Sequence, residues 1–176
     1  MAHFGVRDCH MVSSSFSREE QGFLESADIV LLAGGDVITG WQVFEATGMT
    51  SVIERRYREG ATLVGVSAGA VQLGTHARMQ TGAGHCEWFT TFGLCPFLVD
   101  VHDESAEWRE IRAAVLTLGG TTEAFGIPAG GGLVYHADRS VEALGQHAYR
   151  FLASSGGIRR EVVPPKSRDT VLPSNP

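Results

Sequence analysis

The sequence predicts an α/β fold: a largely parallel central sheet flanked by helices, with short β-hairpins towards the C-terminal end. Three observations predict it. Apolar strand-like runs alternate with helix-like segments, and a series of short strands follows them. Residues 28–33, D-I-V-L-L-A, are apolar on both faces, as expected for a central parallel strand covered by helices. A second such run ends at Ser67 and is followed at once by small residues.

A length of 176 residues fits one domain. A chain of this size buries roughly 70% of its unfolded surface, enough for a proper core. The expected domain covers residues 1–153. Residues 154–176, with Gly156-Gly157, Pro164-Pro165 and a polar end, are expected to be a disordered tail.

In chain order, residues 5–12 read as a short strand, although Arg7, Asp8 and His10 make it a poor buried one. Residues 13–17 are a polar turn. Ser17 and Glu20 fit a capping box, opening a helix that runs to about Glu25. The strand at 28–33 runs straight into Gly34-Gly35-Asp36. A glycine pair there is either a tight turn or a place where a backbone N–H can approach a ligand. Residues 41–46 and 51–59 read as two helices broken near Gly48. Ser51 and Glu54 form a second capping box, and Gly60 supplies the stop. Residues 81–94 read as a Gly-rich, aromatic loop. Residues 97–101 form a third buried strand, which delivers His102 at its end. Residues 105–118 are the best helix, capped by Ser105, with Trp108, Ile111, Val115 and Leu116 at helical spacing and Gly119-Gly120 ending it. Residues 124–127, 132–136, 141–144 and 148–152 are short strands, joined by hairpin turns at Gly130, Asp138 and Gly145.

Gly65, Ser67 and Gly69 spell G-x-S-x-G across the corner between a strand and a helix. Such a turn is sharp and strained, and it lifts the serine hydroxyl over the C-terminal edge of a sheet. N–H groups at the start of the helix can stabilise an oxyanion beside it. The alternative is a buried Gly-rich turn whose serine only caps the helix. Gly34-Gly35, Ser67 and His102 each follow one of the three strongest strand signals, and ligand chemistry in open α/β sheets gathers at those strand ends.

Composition narrows the classes. Hydrophobic residues make up 43%, charged residues 19%, and the net charge is −6. No Lys/Arg stripe is present to neutralise phosphates, so nucleic acid is not expected as a partner. The cluster Arg55-Arg56-Tyr57-Arg58 is flanked by acids and reads as a solvated helix face. Cys9, Cys86 and Cys95 are an odd number without C-x-x-C spacing, which argues against a disulfide scaffold or a zinc site. His76, His85, His102, His136 and His147 have no metal-ligand spacing, so neither metal nor cofactor is expected. No signal peptide and no membrane-length apolar run is read, which makes the cytoplasm the default expectation and a membrane partner unexpected.

The residues L-L-A-G-G-D (31–36), G-V-S-A-G-A (65–70), V-D-V-H (99–102) and G-I-P-A-G-G-G-L-V (126–134) together resemble the aspartyl dipeptidase (dipeptidase E) and cyanophycinase family of serine peptidases. The resemblance covers roughly residues 5–152 and implies a fold like that of the class I glutamine amidotransferases. It also implies that Ser67 is the nucleophile, that His102 is the base, and that the N–H groups of Gly35 and Ala68 form the oxyanion hole. The chemistry is self-consistent, because a serine hydroxyl is a weak nucleophile until an imidazole takes its proton. The sequence departs from the family at two places. Ala129 occupies the position of the orienting Glu in a G-L-P-E-G-like turn, and Glu87 is the preferred substitute; Asp103 and Glu104 lie too near His102 in sequence. The resemblance also implies a strand–helix–strand portion before residue 5 that this sequence does not carry. A shortened gene reading, a minimal form completed as a homodimer and a degenerate relative all remain open.

The leading functional expectation is a serine hydrolase that cleaves a small peptide or amide. A relative that only binds a small ligand is the alternative. Glutamine amidotransfer needs a cysteine at the corner, where Ser67 stands. Arg109 and Arg112 are either carboxylate-binding cations or a solvated face.

Overall fold

The computed structural model of the chain describes residues 6, 8–80, 86–119, 122–154 and 156–166. The sequence expectations that rest on Gly5, Arg7, residues 81–85, Gly120 and residues 167–176 therefore lie outside the described residues. The chain divides into two compact units, Met1–Leu98 and Val99–Pro176. The sequence carries no linker signal at this boundary, which falls inside a strand. The fold is mixed α/β, with helices and several small sheets.

The first unit begins without the expected strand: among the described residues, positions 8–13 are irregular. His10 instead stacks on Phe23, with ring centroids 4.1 Å apart. Helix α1 (Arg18–Ser26) starts where the capping box places it. The Ser17 hydroxyl accepts the Glu20 N–H, and the Glu20 carboxylate accepts the Ser17 N–H. Strand β1 (Ile29–Leu32) pairs in parallel with β2 (Thr62–Gly65), Ile29 opposite Thr62 and Leu32 opposite Gly65.

Between these strands lie α2 (Val37–Thr47) and α3 (Met49–Arg58). Helix α2 begins four residues before the expected start, because the Asp36 carboxylate accepts the Thr39 N–H and caps it. Helix α3 begins at Met49, straight after Gly48 at φ 78°, with no side-chain cap. The expected Ser51/Glu54 capping box is therefore not used. Glycine admits the left-handed turn that breaks one helix and starts the next. Val30 and Leu32 pack with Met49, Val52 and Ile53 into the core of this unit. The other face of the β1–β2 pair is open: Ile29 is 55% exposed, Leu31 52%, Val64 38% and Val66 49%. The expectation of cover on both faces holds here for one face only.

After α4 (Ala68–Leu73), residues read from sequence as a loop contribute to an antiparallel pair, β3 (His76–Gln80) with β4 (Cys86–Thr90). Aromatic residues fit a pleated, half-buried surface. Here Trp88 and Phe89 sit in β4, and Phe89 lies by Trp41.

The second unit carries a four-stranded sheet in the order β10-β9-β6-β5. Its strands are β5 (Leu98–Val101), β6 (Glu123–Ile127), β9 (Ala148–Ser154) and β10 (Gly157–Val163). A separate hairpin joins β7 (Gly132–Tyr135) to β8 (Val141–Leu144). Helix α5 (Arg109–Leu118) begins later than expected. Residues 104–106 form a 3₁₀ turn, so Ser105 caps nothing, and Trp108 enters the helix at φ 59°. Trp108 is buried against Gly126, Tyr149 and Phe151. Residues 157–163, expected to belong to a disordered tail, form β10 across seven pairs with β9. The sheets are small and mixed, and β1–β2 is a parallel pair while β6–β9 and β9–β10 are antiparallel.

Candidate active site

Ser67 stands between β2 and α4 with φ 50° and ψ −113°. That backbone is sparsely populated for any residue with a side chain and persists only where the surroundings impose it. Here three glycines do so. A Cβ on Gly65 would lie 2.6 Å from the backbone of Ala70, and a Cβ on Gly69 would lie 2.2 Å from the carbonyl oxygen of Leu32. Strand and helix are therefore in backbone contact on both sides of the serine. A Cβ on Gly34 would lie 3.3 Å from the Ser67 Cβ, so the end of β1 runs against the serine itself.

Further hydrogen bonds hold the corner. The Val66 N–H donates to the Leu32 carbonyl at 2.9 Å, continuing the parallel ladder one step past the strands. The N–H groups of Gly69, Ala70 and Val71 are turned inward onto Val66 and Ser67. Among the described residues, the N–H groups of Ala68 and Gly35 have no protein acceptor. Gly35 has φ 149°, a conformation that glycine tolerates. Behind the corner, Gln72 is buried and donates from Nε2 to the Val37 carbonyl at 3.0 Å, tying α4 to α2. Neither Gln72 nor the Asp36 cap was singled out from sequence. The signal for Asp36 was present: an Asp three residues before Thr39 at a helix start.

The structure thus brings Gly34-Gly35 to Ser67 and Ala68 within the first unit. Glu87 is also in this unit, exposed on β4 and opposite Met79, rather than in a loop. His102 belongs to the second unit. It follows β5 at φ 44°, exposed, with its N–H bonded to the Ile127 carbonyl at 2.9 Å. The turn at Ala129 lies against the same loop, because the Ala129 N–H donates to Glu104 Oε1 at 3.1 Å. Arg109 and Arg112 are both exposed on α5, as a solvated face requires.

The second unit also holds an acid that sequence reasoning passed over. The Asp100 carboxyl is pushed up to about 6, chiefly by burial and further by Asp103 and Glu110, while the Val101 N–H and His102 act the other way. Cys86 and Cys95 offer no alternative nucleophile at such a corner. Burial pushes the Cys95 thiol up to about 12, and Cys86 is exposed on β4, away from any such corner. Among the described residues, no group of acids, histidines and cysteines could hold a metal ion, and no helix is long and apolar enough to cross a membrane.

The family model for peptidase family S51 matches residues 3–142. The chain belongs to peptidase family S51. The family matches the resemblance carried by the four sequence segments. A crystal structure of a peptidase from an acI-B1 Actinobacterium is similar to the S51 chain at 21% identity and a TM-score of 0.58, covering 83% of this chain and 63% of its own. A candidate peptidase E protein from Listeria monocytogenes EGD-e has 18% identity and a TM-score of 0.49, with 81% and 63% covered. No curated protein matches. The S51 chain spans 63% of the length of each of these solved structures.

Proposed function

We propose that the chain is a serine-type peptidase or amidase of the dipeptidase E kind, which cleaves a small peptide through an acyl-enzyme. The backbone of Ser67 carries this reading. A φ of 50° with ψ −113°, enforced by Gly65 and Gly69, is what a nucleophile elbow needs. A serine that only caps a helix needs no such strain, and Ser67 makes no side-chain cap to α4.

In the proposed reaction the Ser67 Oγ attacks the scissile carbonyl carbon. His102 accepts the hydroxyl proton and then passes it to the leaving amine as the C–N bond breaks. The N–H groups of Gly35 and Ala68 hold the oxygen as it becomes negative. One such donor is typically worth roughly a hundred- to a thousandfold in rate. Water then takes the place of the amine and releases the acid. Glu87 is the preferred substitute acid for His102, in place of the family's Glu where Ala129 stands. The chemistry needs no cofactor or metal from this set of residues. The finer architecture that goes with this reading is a larger, mainly parallel sheet around β1 and β2.

A fluorophosphonate probe tests it. The expected result is one adduct per chain on Ser67, lost in Ser67→Ala and reduced at least about a hundredfold in rate by His102→Gln. Well-folded protein that takes no adduct and hydrolyses no dipeptide overturns the proposal. Ala129 favours a second reading, a relative that binds a small ligand without turning it over. On that reading Ser67→Ala leaves ligand affinity nearly intact.

A further inference from the structure

We infer that Gln72 is a positioning residue for the reaction proposed above: its buried amide fixes the first turn of α2 against α4, and so sets the Gly35 N–H in register with Ser67 and the Ala68 N–H. The inference rests on the serine-peptidase reading and adds a residue to it.

The two N–H groups assigned to the oxyanion stand on different elements. Ala68 opens α4 directly after Ser67, whereas Gly35 comes directly before Asp36, the residue that caps α2. Such donors act only when both lie about 2.7–3.1 Å from the oxygen, so the spacing between the two helix starts must be held. Gln72 holds it. It stands on α4, one turn past Ala68, and its Nε2 donates to the Val37 carbonyl at 3.0 Å. Val37 is the first residue of α2, just beyond Gly35 and the Asp36 cap. The same turn is fixed from within α2, because the Asp36 carboxylate accepts the Thr39 N–H at 2.7 Å.

The surroundings are built to admit this amide. Gly40 leaves the space it enters, since a Cβ there would lie 2.9 Å from Gln72 Nε2. The Gln72 carbonyl accepts the Phe92 N–H at 3.1 Å, and Phe92 meets Trp41 of α2 edge-on, with ring centroids 4.9 Å apart. Among the described residues, Gln72 and Thr91 are the buried polar side chains. Thr91 spends its hydroxyl on the Gly74 carbonyl at the end of α4. The rest of α4 is small or apolar: Ala68, Gly69, Ala70, Val71 and Leu73. Packing alone would be served by a leucine or methionine at position 72, because a buried amide is costly unless it is bonded. A satisfied buried hydrogen bond adds something that apolar contact lacks, which is a single register between the two helices. That register is what a pair of donors drawn from two helix starts requires.

The test uses the full chain, the fluorophosphonate probe and amide NMR of the adduct, whose phosphonyl oxygen takes the place of the oxyanion. In the native protein the Gly35 and Ala68 amide protons should both move downfield on labelling. Gln72→Met keeps the volume and removes the donor. It should slow Ser67 labelling roughly ten- to a hundredfold, as a misplaced group does. In its adduct the Ala68 proton should still move, and the Gly35 proton should not. A general loosening of the fold would not separate the two amides. Gly40→Ala is the second variant: it leaves Gln72 in place, crowds its Nε2 and favours the helix, so it should stand up to urea at least as well as the native chain. Its labelling should nevertheless slow about threefold or more, for a displacement of a fraction of an ångström. If the native chain takes no adduct, the serine-peptidase reading fails and the inference falls with it. If the native chain labels and Gln72→Met labels within about twofold of it, with both amides moving together, the inference alone is overturned. Should Gln72→Met not fold, Gly40→Ala decides, and labelling at the native rate overturns the inference.

Discussion

Gly69 has no room for a methyl group: an added Cβ would sit 2.2 Å from the Leu32 carbonyl oxygen. Gly69→Ala must force α4 away from β1. The expected loss is about 3 kcal/mol, read by urea denaturation, with a larger loss in Ser67 labelling because the corner itself moves. Asp100 gives a prediction of opposite sign. Its carboxyl ionises near 3.8 in a solvated chain and is held up at about 6 in the folded one. Between those pH values the folded chain keeps a proton that the unfolded chain has shed, so stability falls as pH rises. The cost is absent well below about 4 and complete above about 6, on the order of 3 kcal/mol at most. Asp100→Asn should flatten that slope and stabilise the protein at pH 7, measured by denaturation at pH 4 and pH 7.

At the scale of elements, the two capping boxes read from sequence separate. Ser17 and Glu20 bond reciprocally at the start of α1, whereas Ser51 lies inside α3. Ser17→Ala should cost about 1 kcal/mol, and Ser51→Ala should stay within about 0.5 kcal/mol, by thermal or urea denaturation. Equal effects would contradict the observed start of α3. Strand β10 was hidden by its flanks, because Gly156-Gly157 and Pro164-Pro165 read as tail, and it carries Arg159, Arg160 and Glu161. Its pairing with β9 explains them. Arg150 bridges Glu123 and Glu161, Arg159 lies 3.1 Å from Glu161, and Arg160 stacks over Tyr149. Charged residues in the middle of an outer strand also deter further strand pairing.

For the whole molecule, the open face of β1 and β2 sets the behaviour in solution. Ile29, Leu31, Val64 and Val66 share that face and are each more than a third exposed. A parallel pair is ordinarily covered on both sides, and an apolar patch left in water associates. The 176-residue protein should therefore self-associate with rising concentration, as read by sedimentation velocity. The double variant Leu31→Lys, Val64→Lys should return it to monomer. A native chain that stays monomeric at high concentration and binds no apolar dye contradicts this.

Local chemistry was legible in the sequence: the Ser17 cap, the parallel strands at 29–32 and 62–65, the glycines around Ser67, and the delivery of His102 by β5. Each is set by neighbours a few residues away, through steric room, capping or period. Tertiary structure alone decided the rest. The β3–β4 pairing, the attachment of β10, the exposure of one face of β1–β2 and the burial of Asp100 depend on residues far along the chain. Burial is a property of what packs against a group, and a carboxylate's ionisation follows its burial, so neither can be read from a residue and its immediate neighbours.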